Sequence, residues 1–218
     1  MDYKQLRNEI EQVQSSVNHI LEYLTDRTIE DLRTRRRSKE VDINVFNMSD
    51  NPNIVTSTDF FSVFREEVGI YLFEANFSEY YDYWLKNTEC LTLATVKHKW
   101  FEQLKRLWDG VDNSPTFYKR RAEYHYISDE QNKFKNAWIP LYIGKSKNVQ
   151  SRVNEHIEGR FQKTYGMKLR HRDALKNGIQ FRVSYSPLNE LEDDTLYELV
   201  KVIENNVRAI FNPIVGKK

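Results

Sequence analysis

The chain has 218 residues, with 33 basic and 32 acidic side chains, a formal charge of +1 and 39% apolar residues. This composition is typical of a globular protein and excludes a disordered one, and no apolar run approaches the roughly 18 residues that a membrane span needs. The single cysteine, Cys90, excludes an internal disulfide framework and a cysteine-cluster metal site. We therefore expect a protein of a reducing, cytoplasmic compartment that has no membrane partner.

The N-terminal residues predict a helix with an apolar seam. Six apolar residues recur at intervals of 4, 3, 4, 3 and 4: Leu6, Ile10, Val13, Val17, Ile20 and Leu24. These intervals are typical of the a and d positions of a coiled coil. The seam spans fewer than three heptads, so it is compatible both with packing on the chain's own core and with pairing to a second subunit.

A second short helix is predicted after the seam, because Thr28 to Asp31 resembles a capping box. That helix would end in a basic run over residues 33–39, which is either a solvated helix end or a phosphate contact. Residues 44–58 are rich in Asn, Ser and Thr and predict a linker. A short helix over residues 59–67 and a buried strand over residues 69–73 follow.

Residues 75–138 form a block with fourteen aromatic side chains. Apolar residues at helical spacing from Val96 to Trp108 predict a helix, and a strand is predicted over residues 122–127. The aromatic residues are compatible with a hydrophobic sub-core and with stacking on unpaired bases. Lys119, Arg120 and Arg121 follow Tyr118 and are candidates for contacts to a nucleic-acid backbone.

The C-terminal part predicts strands over residues 139–143 and 179–185, with helices over 146–159 and about 191–210. Residues 145–182 carry ten basic and three acidic side chains. This local excess is typical of a site for a polyanion, although a solvated basic face explains it equally well.

Six side chains at the ends of these elements make a set that suits phosphodiester hydrolysis. Two phenols stand on strands, a lysine at a strand-to-helix turn, an arginine and a histidine four residues apart on one helix, and a carboxylate on the last helix: Tyr71, Tyr142, Lys145, Arg152, His156 and Glu204. The reaction needs a base near the attacking water, cations around the phosphorane and a divalent metal at the leaving oxygen.

The order of these residues resembles the GIY-YIG nuclease superfamily. The two name motifs are present as Gly69-Ile70-Tyr71 and Tyr142-Ile143-Gly144, and Arg152 follows Tyr142 by ten residues. The stretch Ile203-Glu204-Asn205-Asn206, with Pro213 nine residues after the glutamate, is similar to the family's metal-ligand helix. Residues 1–68 and 75–138 have no counterpart in the minimal family domain.

The resemblance implies a role for each residue. Tyr142 or Tyr71 would help to deprotonate the attacking water, and its pKa of about 10 would need lowering by Lys145 or the metal. Arg152 would hold the scissile phosphate, and His156 would orient a tyrosine or relay a proton. Glu204 would bind one Mg²⁺, which Mn²⁺ can replace, with water and phosphate as the other ligands.

The chain departs from the family pattern in two places. The name motifs usually lie close together on a hairpin, whereas here residues 75–138 are inserted between them. The family commonly ends with Pro-x-x-Asn, but here the residue three after Pro213 is Gly216. Asn212, just before the proline, is therefore a candidate replacement for the usual asparagine, and its role is open.

We therefore expect an α/β (α+β) fold, with a small, mainly antiparallel sheet flanked by helices. The predicted domains are an N-terminal helical arm and linker over 1–58, for dimerisation or DNA contact, and a nuclease domain over 59–218 with its insertion at 75–138.

The two additions to the core indicate a protein that recognises a specific DNA sequence, so the expected protein is a homodimeric type II restriction endonuclease of double-stranded DNA. A mobile-element or repair nuclease that nicks branched or damaged DNA, and a degenerate DNA-binding protein, are the alternatives. Basic residues predicted to contact nucleic acid are Arg35, Arg36, Arg37, Lys119, Arg120, Arg121, Lys147, Arg160, Lys163, Arg170 and Arg172.

Overall fold

The computed structural model describes residues 2–41, 63–88, 93–109, 111–112, 114–127, 138–159, 165–172 and 178–216. Within these ranges the helices are α1 (Tyr3–Arg33), α2 (Ser78–Lys86), α3 (Leu93–Trp108), α4 (Lys119–Ile127), α5 (Val149–Glu158) and α6 (Tyr197–Phe211). The strands are β1 (Ser38–Val41), β2 (Gly69–Asn76), β3 (Thr116–Phe117), β4 (Ile139–Ser146), β5 (Gln180–Pro187) and β6 (Val215–Gly216). Two single turns of 3-10 helix, Leu169–His171 and Asn189–Leu191, complete the described elements.

An antiparallel sheet with the strand order β1-β5-β2-β4 forms the centre of the fold, and β3 and β6 make a separate two-stranded sheet. The fold is therefore of the mixed α+β class. The predicted strands at 69–73, 139–143 and 179–185 are confirmed as β2, β4 and β5. The edge strand β1 comes from a segment that the sequence analysis assigned to the arm and its linker.

Side chains on β2 alternate between two cores, because successive residues of a strand point to opposite faces of the sheet. Ile70 and Leu72 pack with α6 and the C-terminal third of α1. Tyr71 and Phe73 pack with α5 and the aromatic helices of the insertion. The sheet is thus covered on both faces, which explains why every residue of β2 except the last is buried.

The N-terminal helix is longer than the sequence analysis predicted, and the prediction of a second helix capped by Thr28 is wrong. The Thr28 side chain is buried, and its hydroxyl donates a hydrogen bond to the Leu24 carbonyl one turn earlier, at 2.7 Å. A threonine bonded in this way lies within a helix instead of capping one. The helix continues to Arg33 because Ile29 and Leu32 bury their side chains in the core.

The aromatic rings of the insertion pack against one another within the core on the α5 side of the sheet. Trp100 of α3 is fully buried, and the rings of Tyr80, Tyr81 and Trp84 lie 5.0–5.5 Å from its ring. These rings form a hydrophobic sub-core, one of the two interpretations that the sequence left open. The predicted strand over residues 122–127 is wrong, because this segment belongs to α4, whose first turn is closed by a hydrogen bond from the Ala122 amide to the Tyr118 carbonyl.

Two further predictions fall partly or wholly outside the described residues. The linker at 44–58 lies outside them, as do residues 59–62 of the predicted helix over 59–67. Residues 63–67 are described, and they form bends instead of a helix. None of the described helices is both long enough and apolar enough to cross a membrane.

Candidate active site

An open pocket of about 460 Å³ lies where β2 and β4 meet α5 and α6. Its lining contains five of the six side chains that the sequence analysis selected. The lining residues are Tyr71, Tyr142, Gly144, Lys145, Arg152, Tyr197, Lys201, Glu204, Asn205 and Arg208. His156, the sixth, lies behind the pocket and is fully buried.

The antiparallel pairing of β2 with β4 sets the position of Tyr71. Tyr71 is paired with Gly144 across the two strands, so the two residues point to the same face. The phenol ring lies directly over the glycine, and a Cβ at position 144 would stand 2.3 Å from the Tyr71 Oη. The site therefore requires glycine at 144 because of this close approach.

His156 of α5 holds Tyr71 from behind. Its Nε2 lies 2.9 Å from the Tyr71 Oη, and the backbone N–H of Met167 donates a hydrogen bond of 3.0 Å to its Nδ1. Because Nδ1 accepts this bond, the proton of the neutral ring must be on Nε2, which then donates to the phenol oxygen. Burial, assisted by the charge of Arg152, lowers the pKa of His156 well below its usual value, so the ring is neutral. The geometry fits the orienting role that the resemblance implies for this histidine.

The two phenols differ in how readily they could ionise. Burial raises the pKa of Tyr71 well above its ordinary value, and the nearby phenol of Tyr142 adds to the shift. Burial also raises the pKa of Tyr142, though less far. The charge of Arg152 opposes the shift at both phenols, and the charge of Arg208 opposes it at Tyr142 as well. Both phenols therefore carry their protons at neutral pH in the protein alone, and Tyr142 is the easier one to ionise.

Lys145 of β4 and Arg152 of α5 both bring positive charge to the pocket. The Lys145 Nζ lies 3.9 Å from the centre of the Tyr197 ring, a cation–π contact with α6. The Arg152 guanidinium is ion-paired with Glu155 on the same helix and donates a hydrogen bond to the Tyr165 carbonyl. These contacts fix the guanidinium beside the buried phenols, where it can meet a phosphate.

Helix α6 supplies more of the pocket than the sequence analysis predicted. Tyr197, Lys201, Glu204, Asn205 and Arg208 lie three or four residues apart along one face of this helix. Only Glu204 was selected from the sequence. The helical spacing on either side of Glu204 was the signal that could have found the others.

Arg208 links the candidate metal ligand to the sheet. Its Nε is 3.1 Å from the Glu204 Oε1, and its Nη2 donates a hydrogen bond to the Ile143 carbonyl of β4. Its guanidinium carbon also lies 5.5 Å from the centre of the Tyr142 ring. Arg208 therefore contacts the carboxylate, one phenol and a strand of the name motif at once.

The donor set suits a metal that keeps much of its water. The described residues contain no group of three or more His, Cys, Asp or Glu side chains that could hold a metal ion. Glu204 is the one carboxylate among the residues that line the described pocket. Mg²⁺ is commonly bound through one or two carboxylates with waters and substrate phosphates as its remaining ligands, so Glu204 and the adjoining open space fit this ion.

Asn212 does not line the pocket. It ends α6 in the left-handed conformation with a φ of 49°, which asparagine tolerates, and its carbonyl accepts a hydrogen bond from His125 at 2.8 Å. Gly216 lies nearer to the pocket, because a Cβ there would stand 3.6 Å from the Arg208 Nη1.

Arg35, Arg36 and Arg37, the nucleic-acid contacts predicted just after α1, each contact another residue of the described fold. Arg35 lies 3.4 Å from the buried Glu74 carboxylate, which also binds Arg182. Arg36 is 3.8 Å from Asp31, and Arg37 lies over a ring of β5. This run therefore docks the end of α1 onto the sheet, although the Arg36 side chain remains 74% exposed.

In the insertion, the three predicted basic residues have different surroundings. Lys119 is paired with Glu102 at 3.0 Å, whereas Arg120 is exposed. The Arg121 guanidinium stacks on the Tyr118 ring at 4.2 Å and donates to the Pro213 carbonyl. Arg120 is thus the most accessible of the three to a phosphate.

Of the predicted contacts after residue 145, Arg172 does not fit its predicted role. Its side chain is buried and donates hydrogen bonds to the carbonyls of Met167 and Trp108, the latter at the end of α3. Burial lowers its pKa to about 10. Arg170 is paired with Glu158 at 2.8 Å, and Lys147, ion-paired with Asp194, is exposed near the pocket. Arg160 and Lys163 lie outside the described residues.

The sequence matches no protein-family model, and it shows no significant similarity to a curated protein or to a solved structure.

Proposed function

We propose that this protein is a metal-dependent endonuclease of the GIY-YIG type that hydrolyses phosphodiester bonds in double-stranded DNA. The observation that carries the proposal is the charge of the pocket. Its lining has four cationic side chains, Lys145, Arg152, Lys201 and Arg208, and one carboxylate, Glu204. Three phenols complete the polar surface. An open pocket of this kind suits a phosphate with a divalent metal.

In this proposal each side chain acts on the phosphate or on the attacking water. Arg152 and Lys201 bind the non-bridging oxygens and stabilise the charge that develops on them. Tyr142 accepts the proton of the water only after its own proton has passed to solvent, and the charges of Arg208 and Arg152 favour the phenolate that this requires. Tyr71, which receives a hydrogen bond from His156, orients the water. Bound at Glu204, Mg²⁺ would supply Lewis acidity at the leaving oxygen.

The finer proposal is a type II restriction endonuclease that reads a specific sequence. The support is the size of the additions to the catalytic core, namely a long N-terminal helix and an inserted aromatic sub-core, together with exposed cations beside them. Base edges would be read by polar side chains in the grooves, and phosphate contacts would set the register.

The test compares Glu204→Gln with Glu198→Gln, an exposed position on the same helix. Supercoiled plasmid is digested with Mg²⁺, and duplex binding is measured separately by gel shift. We expect discrete fragments from the wild-type protein and from Glu198→Gln, and binding without cleavage from Glu204→Gln. Normal cutting by Glu204→Gln would refute the metal role of this residue. A wild-type protein that only nicks the plasmid would refute sequence-specific double-strand cleavage, and one that does not cut at all would refute the nuclease.

A further inference from the structure

The first part of α1 extends away from the fold. Residues 3–20, which we call the arm, are exposed around their whole circumference, whereas the side chains of Leu24, Ile29 and Leu32 further along are buried. At about 1.5 Å per residue the arm is about 27 Å long. In proteins most of the stability of a helix comes from the packing of its apolar face.

The arm carries the apolar seam on its exposed surface. The relative exposures are Leu6 40%, Ile10 50%, Val13 63%, Val17 36% and Ile20 53%. Of the two interpretations that the sequence left open, packing on the chain's own described core is therefore excluded. Tyr3, Leu6 and Ile10 also border a groove of about 270 Å³ along the arm, which leaves room for side chains of a partner.

The spacing and charge of the arm indicate that its partner is a second helix and not a DNA duplex. The 4-3-4-3 spacing matches a second helix with the same period, as in knobs-into-holes packing. Residues 2–24 carry four acidic and two basic side chains, so the arm would repel a DNA duplex. Few of these charges lie at positions that flank the seam, so repulsion between two copies of the arm would be weak.

The charges beside the seam favour a parallel pair. At the a positions Ile10 and Val17 are β-branched, as in parallel dimers, but the d positions Val13 and Ile20 are β-branched too, so the apolar seam alone does not set the number of strands. In a parallel pair, Asp2 at a g position would also lie near Arg7 at the following e position of the second copy.

We propose that the arm pairs with the arm of a second copy of this chain to form a parallel two-stranded coiled coil. In this arrangement both folded bodies lie at the same end of the coiled coil, related by its two-fold axis. The pairing of the two arms does not depend on the proposed function. One consequence of the pairing rests on the proposed function, namely that each of two adjacent active sites would cut one strand of a palindromic duplex.

The oligomeric state of the protein tests whether the apolar seam of the arm pairs two chains. Light scattering is measured for the wild-type protein, for Val13→Glu/Val17→Glu, and for Gln12→Glu/Asn18→Glu, which adds the same charge at exposed positions off the seam. We expect the mass of two chains for the wild type and the control. For the seam variant we expect half that mass with an unchanged near-ultraviolet circular dichroism spectrum, which reports the tertiary packing of the folded body. A wild type with the mass of one chain would overturn the proposal. A seam variant that stays dimeric would overturn it too.

Disulfide trapping tests the orientation. Leu6→Cys is made in a Cys90→Ser background, so that the new thiol is the only one in the chain. In a parallel pair the two copies of residue 6 face each other within the roughly 4.4–6.8 Å between Cα atoms that a disulfide spans. We expect an oxidised dimer for Leu6→Cys and much less for Asn8→Cys, on the outer face. A disulfide that forms only between Leu6→Cys and Val17→Cys chains would show an antiparallel pair and overturn the proposal. These readouts involve no DNA cleavage, so failure of the proposed nuclease leaves them intact.

Discussion

Replacing Gly144 with alanine tests whether the contact between β2 and β4 sets the geometry of the candidate active site. The new methyl group would stand 2.3 Å from the Oη, 2.5 Å from the Cζ and 2.9 Å from the Cε2 of Tyr71. Carbon atoms in contact are normally about 3.5 Å apart or more, so the ring must move by about 1 Å. Tyr71 is 1% exposed and packs against Phe73 and His156, so it cannot move without disturbing them.

Two magnitudes follow from this displacement. Overpacking of a buried site costs about 1–3 kcal/mol of unfolding free energy, which for a protein of this size lowers Tm by about 2–12 °C. A misplacement of about 1 Å at a reacting group costs on the order of 10² in rate. We therefore expect Gly144→Ala to be folded and moderately destabilised and, under the proposed nuclease function, nearly inactive in DNA cleavage.

Cleavage rates at saturating Mg²⁺ and thermal melts measure these effects. The matched control is Gly216→Ala, because a Cβ there would meet its neighbours at 3.5–3.8 Å, which is ordinary contact. In a Tyr71→Ala background, Gly144→Ala should cause no further loss of stability, because the atoms that it strikes are gone. Equal losses of stability in both backgrounds would refute the reasoning.

Three further predictions concern His156, Arg208, and the pair of Arg172 and Arg120. His156→Phe should lose the bond to Tyr71 and destabilise the fold by about 1–3 kcal/mol. Because the folded pKa of His156 lies below the unfolded value of about 6.5, its protonation in the unfolded chain lowers wild-type stability as the pH falls below that value. Urea midpoints at pH values above and below about 6.5 should therefore show a weaker pH dependence in the variant; equal slopes would contradict this. Arg208→Met should lower the single-turnover cleavage rate on the order of 10² while duplex affinity in a gel shift changes far less; an unchanged rate would exclude a role for Arg208. Arg172→Ala should lower the urea midpoint and leave the salt dependence of DNA binding unchanged, whereas Arg120→Ala should reduce the salt slope by about one without affecting the midpoint; the reverse pattern would contradict the assignment.

The sequence alone determined the parts of the fold that depend on local periodicity. Buried strands at residues 69–73, 139–143 and 179–185 and the helices that contain Arg152 and Glu204 were predictable, because the pattern of apolar residues repeats with the period of each element. The order of Tyr71, Tyr142, Lys145, Arg152 and Glu204 along these elements was likewise readable, and the structure brings these five side chains to one pocket.

The tertiary structure decided which of several local possibilities each segment adopts. Thr28 has the sequence context of a cap but lies inside a helix, because residues beyond it gain burial against the sheet. Arg172 looks like a surface cation but is buried and held by backbone carbonyls, and the exposed Arg35 is paired with the buried Glu74, partners that lie far away in the chain. The contribution of Arg208 to the pocket depends on the pairing of β2 with β4 across a long insertion. Such contacts join residues distant in sequence, so no local pattern encodes them, and only the packed fold shows which side chains meet.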